Sequence, residues 1–316
     1  MINDLVNNYI DKGYIISERL LNEDQILSLK KELDEEYKAK IETKSMQMLL
    51  HDFNNPQLIK KIILLFNSDV IKDVKKKLEK FYKSDIVILP LFEVHKNNHV
   101  NLKVAHGWHR DCGIEMNSDY CKNILYKKNY FFSKIGIYLQ ENTDYGGCID
   151  IIKKSHKNFS KNQVLLRKIK NLPLKLINFI NQRLNIFYFM IPEIFFMFLL
   201  SGKKLYPKKS AAFIFDSRLT HRSSIIYKNK FKSLNFEGRF KALVPEEFNK
   251  YAIYCHFGTS EAVDSYLFKR LNKKENPNLL QIWVNQIETI SKYDIKLANQ
   301  INKVMKPIKK KYKDYL

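Results

Sequence analysis

The chain has 316 residues, 45% of them apolar and 13% aromatic. That is a globular composition and excludes a disordered or fibrous chain. The formal net charge of +22 rests on 55 Lys and Arg, only eight of them Arg. Guanidinium forks are the residues that grip phosphate bidentately, so no specific nucleic-acid partner is expected and the lysines read as solvated faces.

In chain order, the start is polar and acidic with no apolar h-region, so a cytoplasmic setting is expected. Residues 1–85 read mainly as helix. A short strand is predicted at 14–16, before a helix capped by Asn22 with Ile26, Leu29 and Leu33 at helical spacing. Pro56 opens another amphipathic helix through Ile59, Ile62, Ile63 and Phe66. A β core is predicted over 86–255, with strands at 86–94, 133–139, 147–152, 211–215 and 233–236 and a turn at Lys96-Asn97-Asn98. A helical insertion interrupts it at 161–200, and 256–316 reads as C-terminal helices. The simplest parse is one mainly β domain over 1–316. Cys112, Cys121, Cys148 and Cys255 show no CxxC pairing, which argues against a disulfide framework or a cysteine-held zinc.

The segment most charged with chemistry is His106-Gly107-Trp108-His109-Arg110-Asp111-Cys112-Gly113. On an extended strand, His109 and Asp111 point to the same face, about 7 Å apart at their Cα atoms. An imidazole and a carboxylate so placed can share a metal ion. An HxD pair is common by chance, and a solvated or capping pair is the bland reading. Two features strengthen the metal reading. A distal His221 follows the apolar strand Ala211-Ala212-Phe213-Ile214-Phe215. Lys232 follows eleven residues later, a cation suited to the far end of a dicarboxylate. Two His and one carboxylate form the facial set of non-haem iron oxygenases, which leaves the opposite face open.

These segments resemble the phytanoyl-CoA dioxygenase family of 2-oxoglutarate-dependent oxygenases. The resemblance is carried by His109-Arg110-Asp111, by Lys134-Ile135-Gly136-Ile137-Tyr138-Leu139-Gln140 and by Gly146-Gly147-Cys148. Lys153-Lys154-Ser155-His156, Phe215 to His221 and Tyr254-Cys255-His256-Phe257-Gly258 add to it. It implies a double-stranded β-helix (jelly roll, cupin-like) and a dioxygenase using Fe(II), 2-oxoglutarate and O2 to hydroxylate a small molecule; a lid or membrane contact at 185–200 would suit a lipid-like one. By position, His109, Asp111 and His221 match the iron ligands. Lys232 stands where the family usually has the arginine that binds the co-substrate's distal carboxylate, and Ser223 where a hydroxyl can bond the same molecule. Lys keeps the charge and loses the fork; Arg222 and Arg239 are the fallback cations. Lys134 and Tyr138 share a face of their strand and are expected to touch co-substrate or substrate, with Ile135, Ile137 and Leu139 turned to the core helices. His156 reads as a turn histidine bonded to backbone. His95 and His99 flank a polar loop, at the mouth or on the surface.

Residues 185–200 form an apolar run broken by Pro192 and Glu193, too short for a membrane span. A lid over the site, core packing and a weak peripheral membrane contact all suit it. Two other functions use the same residues: a zinc-type metal hydrolase, and a non-catalytic jelly-roll binding protein with a relict site. Nothing in the sequence speaks to oligomeric state or to the substrate's identity.

Overall fold

The computed structural model describes residues 2–39, 47–97, 99–100, 108–111, 130–141, 149–157, 165, 168–169, 172, 202–223, 242–243, 250–272 and 278–313. Four helices and two strands lead the chain: α1 Ile2–Lys12, β1 Tyr14–Arg19, α2 Glu23–Ala39, β2 Gln47–Leu49, α3 Pro56–Phe66 and α4 Asp69–Tyr82. Their starts follow from capping. Asn22 and Gln25 form a reciprocal box: each backbone N–H donates to the other's side-chain oxygen, at 3.0 and 2.9 Å. Asn55 caps α3, accepting from the N–H groups of Gln57 and Leu58, with Pro56 in the first turn where no amide donor is needed.

Strands follow: β3 Ile86–Ile88, β4 Glu93–Asn97, β5 His99–Val100, β6 Phe132–Tyr138, β7 Ile149–Ile151, β8 Lys203–Leu205, β9 Ala211–Asp216, β10 His221–Ser223, β11 Ala242–Leu243 and β12 Lys250–Thr259. Three helices close the described chain: α5 Ser260–Asn272, α6 Leu279–Tyr293 and α7 Ile295–Lys311. All described strand pairs are antiparallel. The large sheet runs β1-β9-β6-β12-β4-β2, with β3 also on β12; a smaller one runs β10-β7-β8, and β5 pairs β11.

Alternation along the strands sorts the side chains into two layers. Ile135 and Ile137 of β6, Ile214 of β9 and Ile253 and Phe257 of β12 join the main core, with Leu33, Leu58, Phe66, Leu78 and Trp283 of the helices. Burying each such side chain contributes ~1.5–3 kcal/mol. The opposite face carries Tyr138, Phe213, Phe215 and Ala252. These pack against Ile149, Ile151 and Leu205 of the smaller sheet. The two sheets therefore face one another across a thin apolar layer, and the candidate site sits at its rim.

Several boundaries differ from the sequence reading. The predicted 86–94 strand is broken: Leu89 donates its N–H to His256 O, Leu91 turns back onto Leu89 O, and pairing resumes at Glu93. Pro90, with no N–H to give a ladder, sits in that break. Lys96 and Asn97 end β4 and do not form a turn; they pair with Tyr251 and Lys250. The strand β1 runs to Arg19, beyond the predicted 14–16. The β core does not stop at 255: β12 runs to Thr259 because Phe257, Gly258 and Thr259 pair with β3, and helix begins only at Ser260. Helices hold more of the described residues than strands do, so β character belongs to the centre of the chain and not to its whole length. Within 161–200, Leu165, Lys168, Ile169 and Leu172 are helical. The 185–200 run and the predicted strand at 233–236 lie outside the described residues. No helix among the described residues is long and apolar enough to cross a membrane.

Candidate metal centre

Backbone pairing brings the two imidazoles together. His109 and His221 form an isolated antiparallel bridge, each donating its N–H to the other's carbonyl at 2.9 Å. Their rings lie 4.4 Å apart, tilted by 55°. Asp111 follows in a turn, not on a strand, and its carboxylate still returns to the side of His109. Asp111 Oδ1 is 3.7 Å from His109 Nε2 and 3.7 Å from His221 Nε2. One ligand atom from each of the three residues lies within 4.8 Å of the others. Ligands at ~2.1 Å on adjacent corners of a metal lie about 3 Å apart, so a small inward movement completes the set.

The intervening Arg110 points away and locks the segment. Its buried guanidinium donates from Nε to Thr220 Oγ1 and from Nη2 to Ser155 O, both at 2.8 Å. Thr220 in turn donates its N–H to Ser155 Oγ at 2.8 Å. His156, next in line, has Nε2 3.0 Å from Ile10 O and packs so closely on Gly13 that a Cβ there would meet Nδ1 at 2.5 Å. It serves the α1–β1 junction, far from a ligand role; Gly13 also has φ +81°, which favours glycine.

Burial and charge prepare the donors. His221 Nδ1–H donates to Leu219 O at 2.9 Å. That bond fixes the tautomer and leaves the Nε2 lone pair free for a metal. Burial, reinforced by His109, lowers the His221 pKa to about 4, although Asp111 works the other way; the ring is therefore neutral at neutral pH. Burial pushes the Asp111 carboxyl up, but Lys134, His221 and His109 outweigh it and hold it well below the usual carboxylate range. Side-chain exposure falls from 45% at His109 to 15% at Asp111 and 7% at His221, so the site opens on the His109 side. Asp111 Oδ2 is buried without a hydrogen bond among the described residues. Two imidazole nitrogens and one carboxylate oxygen fit a divalent transition ion.

Lys134 and Tyr138 do lie on the inner face of β6, opposite His256 and Ala252 of β12. Lys134 Nζ is 3.6 Å from Asp111 Oδ2 and 4.6 Å from the centre of the Tyr254 ring. Tyr138 meets the same ring edge-on at 6.3 Å. Lys232, Arg239 and the side chains of Ser223 and His99 lie outside the described residues. Arg222 is excluded as a fallback cation. It is buried on the other face of β10, paired with Asp150 at 2.8 Å and lying 4.7 Å over Trp108. His95 stands beside the site, its Nε2 3.4 Å from Glu93 Oε2 and its ring edge-on to Tyr254 at 4.9 Å.

Sequence reasoning missed Glu93, Tyr254 and His256 as neighbours of the site. Burial pushes Glu93 up, but His95 and Lys134 outweigh it and hold its carboxyl at about 2. The available signal was parity. Tyr254 and His256 alternate with Cys255 and Phe257, which a strand would turn inward and outward; assigning 256 onward to helix hid it.

No family model matches the chain, and no curated relative matches it in sequence. Solved structures do match. AviO1 from Streptomyces viridochromogenes Tue57 is 11% identical, with TM-score 0.46, over 82% of this chain and 95% of its own. SnoN, the non-heme alpha ketoglutarate dependent epimerase from nogalamycin biosynthesis, is 10% identical, with TM-score 0.45, over 82% and 83%. HygX from Streptomyces hygroscopicus, with nickel and 2-oxoglutarate bound, is 10% identical, with TM-score 0.48, over 81% and 86%. Likenesses at this level decide neither family nor activity. The ligand geometry stands by itself.

Proposed function

We propose that the chain is an Fe(II)- and 2-oxoglutarate-dependent dioxygenase of the phytanoyl-CoA dioxygenase type, built on a double-stranded β-helix and hydroxylating a small, lipid-like molecule. The observation that carries this reading is the meeting of His109, Asp111 and His221 with their ligand atoms within 4.8 Å. These three would hold the iron, and the remaining face stays open for the co-substrate. Bound Fe(II), with 2-oxoglutarate and O2, supplies the oxidising chemistry.

The chain's own residues would do the rest. Leu219 O keeps His221 in the ligating tautomer. The Arg110–Thr220–Ser155 clamp keeps the two ligand-bearing segments in register. Lys232 is our candidate for the far carboxylate of 2-oxoglutarate, with Ser223 as a hydrogen-bonding partner. Tyr138, Phe213 and Phe215 fill the layer between the sheets, which keeps water from that side of the site.

The test is an anaerobic titration of purified protein with Fe(II) and 2-oxoglutarate, followed by exposure to O2 and measurement of succinate. Succinate from the wild type but not from Asp111→Ala supports the proposal. Zinc held without 2-oxoglutarate binding indicates the hydrolase reading, and no bound metal at all the relict one.

A further inference from the structure

We propose that Lys134 is a positioning residue for Asp111, taking one carboxylate oxygen and leaving the other as the single oxygen offered to a metal, with the Tyr254 ring backing the ammonium. This rests on the reading of His109, Asp111 and His221 as metal ligands.

The two oxygens of Asp111 have different surroundings. Oδ1 faces the imidazoles at 3.7 Å each. Oδ2 faces Lys134 Nζ at 3.6 Å and has no hydrogen bond among the described residues. Closing that gap by under an ångström makes a charge-assisted hydrogen bond of about 2.8 Å. A carboxylate free at both oxygens can chelate through both, occupying a second corner of the ion. The facial arrangement needs that corner vacant, so a cation on Oδ2 protects it.

The lysine is built for this role. It is 17% exposed and faces the Asp111 carboxylate at 3.6 Å, an opposite charge that favours the ammonium form. Tyr254 closes a second side, its ring face under the ammonium at 4.6 Å. That ring has room only because residue 136 is glycine: a Cβ there would sit 2.9 Å from Tyr254 Cε1. Glu93, on β4, is the cross-strand partner of Tyr254 and is itself bonded by His95. The ammonium is thus already engaged by the Asp111 carboxylate and the Tyr254 ring. That division of labour leaves co-substrate anchoring to another group.

The experiment uses Co(II) alone, without co-substrate, and reads the visible spectrum and the binding curve of the full chain. Wild type and Lys134→Arg are expected to share a spectrum. Lys134→Met is expected to change it and to weaken Co(II) binding by about 10–100-fold, the range for lost partners of metal ligands. Lys134→Gln, which removes the charge but keeps a polar side chain, is expected to move the spectrum in the same direction and decides the matter if Lys134→Met does not fold. A wild-type Co(II) spectrum and affinity in Lys134→Met overturns the proposal. Co(II) binding that survives in His221→Ala and Asp111→Ala sinks the metal reading itself, a distinct result.

Discussion

His109 and His221 are held together by their main chains: each accepts the other's amide at 2.9 Å, whatever their side chains do. Ligand placement and ligand chemistry are thus separable. Removing an imidazole leaves the bridge intact, so His109→Ala and His221→Ala are expected to keep wild-type circular dichroism. They should lose metal-induced thermal stabilisation and reduce succinate formation by more than about 100-fold, beyond what losing a partner of a ligand costs. Thermal melts with and without Fe(II) or Co(II) check this directly. Retained metal stabilisation in both variants would count against the assignment.

The buried Asp150–Arg222 pair lies on the far side of β10 from the imidazole, with bonds of 2.8 and 3.0 Å. Removing one partner strands a charge, so Arg222→Met alone should cost about 3–5 kcal/mol of stability. Adding Asp150→Leu should recover much of that loss. Urea unfolding of the two single variants and the double variant measures the coupling. An additive double variant would show that the pair contributes nothing jointly.

How much of this was legible in the sequence depends on range. Asn22 and Pro56 announce their helices through local chemistry, and the alternation in Lys134-Ile135-Gly136-Ile137-Tyr138 announces which face turns inward. The candidate trio could be named because its residue types are specific, a histidine follows the apolar strand 211–215, and a family resemblance matched the same positions. Glu93 could not be: its meaning depends on β4 and β6 both pairing with β12, a non-local fact. The end of the β core was misplaced for the same reason. Residues 256–259 are held extended by pairing with Ile86, Val87 and Ile88 on one side and β6 on the other, and tertiary pairing overrides local preference. Arg222 looked available until its partner Asp150 arrived from a strand 72 positions away.

Gly136→Ala should act through Tyr254. The added methyl meets that ring at 2.9 Å, so the ring must move off Lys134 or the strand must shift. Overpacking of this kind costs about 1–3 kcal/mol. A combined Gly136→Ala/Tyr254→Leu protein should regain stability, because the shorter side chain yields the space. No recovery in the double variant would mean that the strand itself resists the methyl.

Acid should weaken the metal-free protein through His221. Its folded pKa is about 4, below the ~6.5 of an unfolded imidazole. Above pH 6.5 neither state carries the proton and the contribution is complete. Between 6.5 and 4 the unfolded chain takes the proton first and stability falls, by up to about 3 kcal/mol. Urea midpoints measured across that window should drop in the wild type and flatten in His221→Gln. Equal slopes would place the acid sensitivity elsewhere.

Arg110 and Thr220 meet from 110 positions apart in the chain, and the ligand bridge lies one residue beyond each. An ion bound there is consequently a staple as well as a reagent: it ties off a loop of more than a hundred residues at the rim of two sheets. Loop closure of that size carries an entropic cost, and any ligand specific to the folded state offsets it by mass action. The metal-free protein would therefore be the looser form, and the first part to open would be the doorway on the His109 side.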